Sequence, residues 1–424
     1  MPDTSGFKGI LRKHHPDRLI LLLFGILMLI GLIVIYSIGQ QRANVLNNLM
    51  GTNYSQNYFF INQLLSVGIS VVAFLIAYKL SFDFIKKNAK YVLILGFAAC
   101  AILALAALAH LGIAQCTYGA CRWLNIGVKG FQPSELLKLG LLLYLAVFLG
   151  VKASKNETNN VSNTLIPLAI IAAVALGFVV IIQKDLGTGV VIMAMIMSML
   201  FMAGINKRIL MFVIAGSLVL GLIFTVAAPH RLERLTTFFG ISSTSSADTA
   251  NSSAYHIDHA KMAIGNGGLF GVGIGNSVQA TGYLPESIND SIFAIMGETF
   301  GFVGLVLIIA LFVILLLRML NTIYFLHDHT GRILIAGVFG WVAAHVIMNI
   351  AAMTGLMPLT GITLPLLSYG GTSMLFIAFS LGIVFQLSSY TAHTPMQEEG
   401  DNHEDISSRR RLGRTRYASS RRSS

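Results

Sequence analysis

Charge is what this 424-residue chain has least of: Asp, Glu, Lys and Arg make up 11% of it, against about a quarter of an ordinary soluble domain. With 55% hydrophobic residues and a mean hydropathy of +0.74, it is excluded from the soluble class and reads as an all-α integral membrane protein. Cysteine is scarce too. Its three cysteines form no CxxC or Cys/His spacing, which argues against a zinc site. Cys100 falls in an apolar run as a small core residue, whereas Cys116 and Cys121 flank a short outer loop where an oxidising exterior would permit a disulfide. No strand-borne G-x-G-x-x-G is present, so a dinucleotide fold has no support. No repeat stands out, and nothing suggests base readout, so nucleic acid is not an expected partner despite the net charge of +11.

What the chain does have is apolar runs of the length that crosses about 30 Å of hydrocarbon. They lie near 19–39, 58–79, 91–112, 134–151, 164–182, 186–204, 209–228, 291–317, 333–353 and 371–389, each expected to be helical because lipid cannot satisfy open backbone groups. The first follows Lys8, Arg12, Lys13 and Arg18 but is too long for a signal-peptide core and lacks a small-residue cleavage site after it. Placing residues 1–18 in the cytoplasm puts most of the 29 Lys and Arg inside, satisfying the positive-inside rule; the opposite orientation fails it. About ten spanning helices over 19–390 are therefore expected, with both termini cytoplasmic. A large outer loop, about 229–290, joins the seventh and eighth. The tail, 391–424, is polar, rich in arginine and expected to be disordered, suited to anionic lipid or a cytoplasmic partner.

The outer side carries the unusual chemistry. The large loop divides into a Ser/Thr-rich part, 240–253, expected to be mobile, and a second part, Gly265 to Gly275, with six glycines in eleven residues. Tight backbone packing of a re-entrant segment explains those glycines, with backbone N–H groups facing a phosphate as the alternative. Cations that the positive-inside rule does not favour collect on this side: Arg42, Arg122, Lys129, Lys184, Arg231, Arg234 and Lys261. An anionic substrate such as a lipid-linked phosphate would account for them, although Arg42, Lys129 and Lys261 suit ordinary solvation. Arg231 and Arg234 are three apart and share a side if their stretch is helical.

Gln132-Pro133-Ser134-Glu135-Leu136-Leu137-Lys138 reads as a helix start, with Pro133 in the first turn and Glu135 near the positive dipole end. Glu135 and Lys138 are spaced to pair, and an ion pair inside a lipid-embedded helix usually faces an internal cavity. Asp185 is a natural N-cap. Asp290 stands where the polar stretch after Glu286 meets an apolar helix, and partial desolvation there would favour a general base; its structural alternative is an N-cap. Glu298, about 12 Å deeper along the same helix, is too remote to pair with it and is expected to bond to a neighbouring helix. Between Gly355 and Ser373, Pro and Gly interrupt the apolar pattern, which suggests a cavity wall near Asp290.

These residues closely resemble the shape, elongation, division and sporulation (SEDS) polymerases, the family of FtsW and RodA. The resemblance runs from about Asp17 to Ser388, through Arg122-Trp123, Phe131-Gln132-Pro133-Ser134-Glu135-Leu136, Asp185-Leu186-Gly187-Thr188, Pro229-His230-Arg231, Ala263-Ile264-Gly265, Tyr283-Leu284-Pro285-Glu286 with Asp290, and Leu364-Pro365 with Ser368-Tyr369-Gly370-Gly371. It implies a ten-helix peptidoglycan glycosyltransferase that polymerises lipid II into glycan strands on the outer face of the bacterial cytoplasmic membrane. By the same resemblance Asp290 matches the catalytic aspartate, and a class B penicillin-binding protein transpeptidase is the partner, with other division membrane proteins. Arg122, Glu135, Lys138, Lys184, Asp185, Arg231, Arg234, Glu286, Ser368 and Tyr369 form the expected substrate-binding set. No metal ligand set is expected, though a Mg or Mn ion could assist the diphosphate.

Pro229-His230-Arg231 and the basic tail look more like the FtsW branch, serving the division septum, than the RodA branch, serving elongation. Three departures concern the outer cavity. Lys184 stands where the family usually has Pro, His256 where it has Gln, and Thr299 where it has Glu. The competing class is a lipid II flippase, but a transporter should show polar groups reachable from both sides, and here they concentrate outside. A non-catalytic scaffold is a third reading.

Overall fold

The computed structural model describes residues 15–117, 120–126, 129–226, 232, 235–236 and 250–391. Arg231, Arg234, the Ser/Thr-rich stretch 240–249 and the arginine-rich tail after Thr391 lie outside them. Among the described residues nine helices are long and apolar enough to span a membrane, and a tenth, Leu186–Met202, is apolar but shorter. The protein is a multi-pass, all-α membrane protein, as its composition requires.

In chain order the helices are α1 Arg18–Met50, α2 Tyr58–Lys79, α3 Phe82–Leu108, α4 Pro133–Ser154, α5 Val161–Ile182, α6 Leu186–Met202, α7 Lys207–Val226, α8 Ala250–Asn266, α9 Ile292–Phe325, α10 His329–Met353 and α11 Gly371–Leu387. Caps set several of the boundaries. Asp17 accepts from Leu19 N at 3.0 Å to start α1, and Asp328 accepts from Gly331 N at 2.7 Å to start α10; each satisfies one of the N–H groups a helix start leaves open. The buried core runs through α4, α10 and α11, while α7 buries none of its residues.

Two features depart from the reading of the chain as spans and loops. Three strands, β1 Ala114–Thr117, β2 Ala120–Ile126 and β3 Lys129–Phe131, form an antiparallel sheet in the order β1-β2-β3. A disulfide joins Cys116 to Cys121 across β1 and β2. The large outer connection also contains α8, which no long apolar run announced.

The glycine-rich stretch packs backbone against backbone. Helix α9 is broken at Gly301, whose φ of 69° and ψ of −170° lie outside helical space. The groups released there are taken up by the neighbouring segment: Phe302 N donates to Gly268 O at 2.8 Å, Val303 N to Leu269 O at 3.1 Å, and Val272 N to Glu298 O at 2.9 Å. A helix can be interrupted at this depth when adjoining protein supplies the missing partners. The approach is so close that a Cβ on Gly271, itself at φ +82°, would stand 2.2 Å from Thr299 O. Gly267 and Gly271 of this stretch thus serve close packing against α9.

Glu298 completes that junction. Its carboxylate accepts from the Ser277 hydroxyl, from Val278 N at 3.2 Å and from Gln279 N at 3.1 Å. It therefore caps the turn after the glycine-rich segment, and its partners are in that turn rather than on a neighbouring spanning helix.

Candidate active site

The sheet and the turns between helices meet over a cavity of about 530 Å³ at one end of the bundle. Its wall includes Arg122 from β2, Lys184 from the α5–α6 turn, Glu286 before α9, and Met357 to Thr360 from the segment between α10 and α11. Two cations and a carboxylate distant in sequence thus share one concave surface, the usual form of a small-ligand site.

Arg122 is held in place as it faces the cavity. Its Nη2 donates to Lys184 O at 2.8 Å and its Nε to Gln183 O at 3.5 Å. The guanidinium ties the sheet to the α5–α6 turn and still has other N–H groups available. Lys184 adopts a φ of +53° and its side chain is exposed. Asp185 does what its sequence position suggests: Oδ1 accepts from Thr188 N at 3.0 Å and Oδ2 from Thr188 Oγ1 at 2.9 Å, capping α6. Both of its oxygens serve the helix start.

Asp290 lies two residues before α9 and is half-buried. Its Oδ2 is 3.8 Å from the point that a Cβ on Gly361 would occupy, one residue from Thr360 on the cavity wall. Its main-chain carbonyl accepts from Asn349 Nδ2 at 2.7 Å, and that nitrogen also donates to Ile362 O at 2.6 Å. Next to it, the Ser291 hydroxyl donates to Pro285 O at 2.8 Å. His256 Nε2, 2.6 Å from the same oxygen, is therefore the donor to Ser291. The departure at His256 thus places an imidazole on the residue following Asp290.

Ser368 and Tyr369 hold the broken segment against this turn. Ser368 Oγ accepts from Leu364 N at 2.8 Å, and Tyr369 N donates to Ile288 O at 2.8 Å. The Tyr369 ring meets Phe59 of α2 edge-on, with centroids 5.5 Å apart. Glu286, at φ +49°, uses its main-chain oxygen to accept from Asn289 N at 2.9 Å and Ser291 N at 3.2 Å.

Glu135 and Lys138 do pair, at 2.8 Å, and both are buried and do not line the cavity. Lys138 Nζ also lies 3.3 Å from His345 Nε2, and His345 Nδ1 lies 3.1 Å from Thr363 O. A carbonyl only accepts, so Nδ1 carries the hydrogen and Nε2 receives a bond from the ammonium. A continuous chain thus runs from Glu135 through Lys138 and His345 to the segment beside Asp290. His345 and Asn349 escaped the sequence reading. Their spacing, i and i+4 on an apolar helix, was the available signal.

Residues 17–393 match the cell cycle protein family FTSW_RODA_SPOVE. The stage V sporulation protein E of Bacillus subtilis (strain 168) is 33% identical over 387 residues, spanning 90% of this chain and 99% of the relative. A protein named "Probable peptidoglycan glycosyltransferase FtsW" from Dichelobacter nodosus is 33% identical over 389 residues, covering 89% and 91% of the two chains. Among solved structures, one described as "Structural coordination of polymerization and crosslinking by a peptidoglycan synthase complex" aligns with a TM-score of 0.66 over 88% of this chain and 97% of that one. At 23% identity that likeness establishes the fold alone.

Proposed function

The chain belongs to the FTSW_RODA_SPOVE family of cell cycle proteins, and from that membership we propose that it is a peptidoglycan glycosyltransferase polymerising lipid II into glycan strands outside the cytoplasmic membrane. The observation that carries this reading is the position of the Asp290 carboxylate against a segment of the wall of a cavity lined by Arg122 and Lys184. A sugar hydroxyl attacks the anomeric carbon of the donor, Asp290 takes its proton, and the bond to the lipid diphosphate breaks with its electron pair leaving on phosphate. The cations stabilise that departing charge. Arg231 and Arg234 are proposed to add to the clamp.

A Mg or Mn ion that assists the diphosphate would enter with the substrate. Among the described residues no three His, Cys, Asp or Glu side chains gather into a metal cluster. We assign both termini to the cytoplasm from the distribution of basic residues, and the site of action to the division septum from the FtsW names of several relatives. A class B penicillin-binding protein is the proposed partner, on the strength of the synthase complex whose polymerase shares this fold. Other division proteins and contacts of the basic tail belong to the same proposal.

The test is polymerisation of labelled lipid II by the purified protein, with and without a candidate transpeptidase, resolved on a glycan gel. Wild type should make strands, and a folded Asp290→Asn protein should be slower by about 10²- to 10⁴-fold. Equal strands from both would remove Asp290 from the role of base, and strands from neither with the correct partner would favour a flippase or a non-catalytic scaffold.

A further inference from the structure

At the end of the bundle away from the sheet, α3 and α4 frame a recess of about 290 Å³. Four lysines surround it, Lys86, Lys87 and Lys90 from α3 and Lys152 from the last turn of α4. Its floor is apolar, with the Tyr144 and Phe148 rings nearly parallel and their centroids 6.3 Å apart. The positive-inside rule explains why lysines gather at this end, but it does not require a concave site with an aromatic floor between them.

The charges are unevenly spent. Lys86 pairs with Asp83 at 3.0 Å and Lys152 with Glu157 at 2.9 Å. Among the described residues neither Lys87 nor Lys90 forms an ion pair, and both are exposed. The lysines carry four positive charges and the two paired carboxylates return two, so the rim keeps a net charge of about +2 at neutral pH. Basic pockets between spanning helices at the cytoplasmic surface suit anionic headgroups.

We propose that this recess binds an anionic phospholipid of the cytoplasmic leaflet. The headgroup phosphate lies between Lys87 and Lys90, and the first part of an acyl chain lies on Tyr144 and Phe148. The site is separate from the cavity above Asp290 and does not depend on the glycosyltransferase reading. The volume suits a headgroup and the start of a chain, with the rest of the lipid in the bilayer.

The full-length protein in phosphatidylcholine nanodiscs containing a minor share of phosphatidylglycerol provides the test, with lipids that stay bound counted by native mass spectrometry. Wild type should retain phosphatidylglycerol selectively. Lys87→Gln/Lys90→Gln should lower that selectivity by about 25-fold, since each lysine near an anionic headgroup contributes roughly a fivefold factor. Val147→Trp, which fills the recess without changing charge, should lower it as well. Lys207→Gln/Arg208→Gln removes the same charge from the first turn of α7 and should leave it unchanged. Equal loss in the two charge variants would reduce the effect to general surface charge and overturn the proposal, as would retention in all variants. Displacement of the bound lipid by inorganic phosphate alone would overturn it too, by reducing the recess to an anion site.

Discussion

Asn349 gives one amide nitrogen to two main-chain carbonyls, that of Asp290 at 2.7 Å and that of Ile362 at 2.6 Å. Both hydrogens are used, so this side chain sets the separation between the turn bearing Asp290 and the broken segment on the cavity wall. Asn349→Leu keeps the volume and leaves both carbonyls without their donor, at about 1–3 kcal/mol for a buried unsatisfied group. A displacement of about 1 Å at a reacting group costs on the order of a hundredfold in rate. We expect kcat for strand synthesis to fall by about that factor, with KM for lipid II changed far less. Asn349→Asp should not rescue it, because a carboxylate cannot donate. A lower Tm with normal kcat would make Asn349 a fold residue only.

The buried pair leads to a second expectation. Lys138→Met leaves the Glu135 carboxylate buried and uncompensated, which typically costs about 3–5 kcal/mol. Glu135→Leu/Lys138→Met removes both charges and should recover most of the Tm. Strand synthesis should stay impaired in that double variant, because His345 loses the ammonium that bonds its Nε2 and Thr363 is held through that ring. Full activity in a stable double variant would show the pair to be scaffolding.

Much of this molecule was legible along the chain because lipid imposes one-dimensional rules. Apolar length located the spans, and Asp185 announced its cap because a cap bonds within three residues. What stayed hidden depends on contacts between distant segments. The strands of 114–131 are too short for a clear period, and α8 has no apolar run to mark it. The anchoring of Arg122 stayed hidden because nothing in sequence shows that the carbonyls of Gln183 and Lys184 receive it. Glu298 could be recognised as buried, but its partners came from the turn after the glycine-rich segment, whose path the sequence did not reveal.

Lys184 offers a test of the cavity wall with a built-in control. Its φ of +53° is natural for glycine and closed to proline, which is locked near −65°. Lys184→Gly should keep the turn and the Arg122 bond while removing the cation. KM for lipid II should then rise about tenfold, the scale of one charge-assisted hydrogen bond, with Tm nearly unchanged. Lys184→Pro should lower Tm and activity together. If the Gly variant binds substrate normally, Lys184 contributes no phosphate contact.

Two glycines two residues apart should respond to the same substitution with opposite signs. A Cβ on Gly265, within α8, would meet nothing within 4 Å, so Gly265→Ala removes unfolded-state freedom at little native cost and should stabilise by about 0.4–1 kcal/mol. A Cβ on Gly267 would stand 2.0 Å from Gly297 O, a main-chain atom of α9. That oxygen cannot swing aside as a flexible side chain would, so Gly267→Ala must push the glycine-rich segment away from α9. The displacement would strain the bonds from Val272 N to Glu298 O and from Phe302 N to Gly268 O, costing about 1–3 kcal/mol as overpacking. Because the same junction leads into the turn carrying Asp290, strand synthesis should fall with Tm in Gly267→Ala and hold steady in Gly265→Ala. Equal thermal shifts in the two variants would mean that the close contact at Gly297 does not hold in solution.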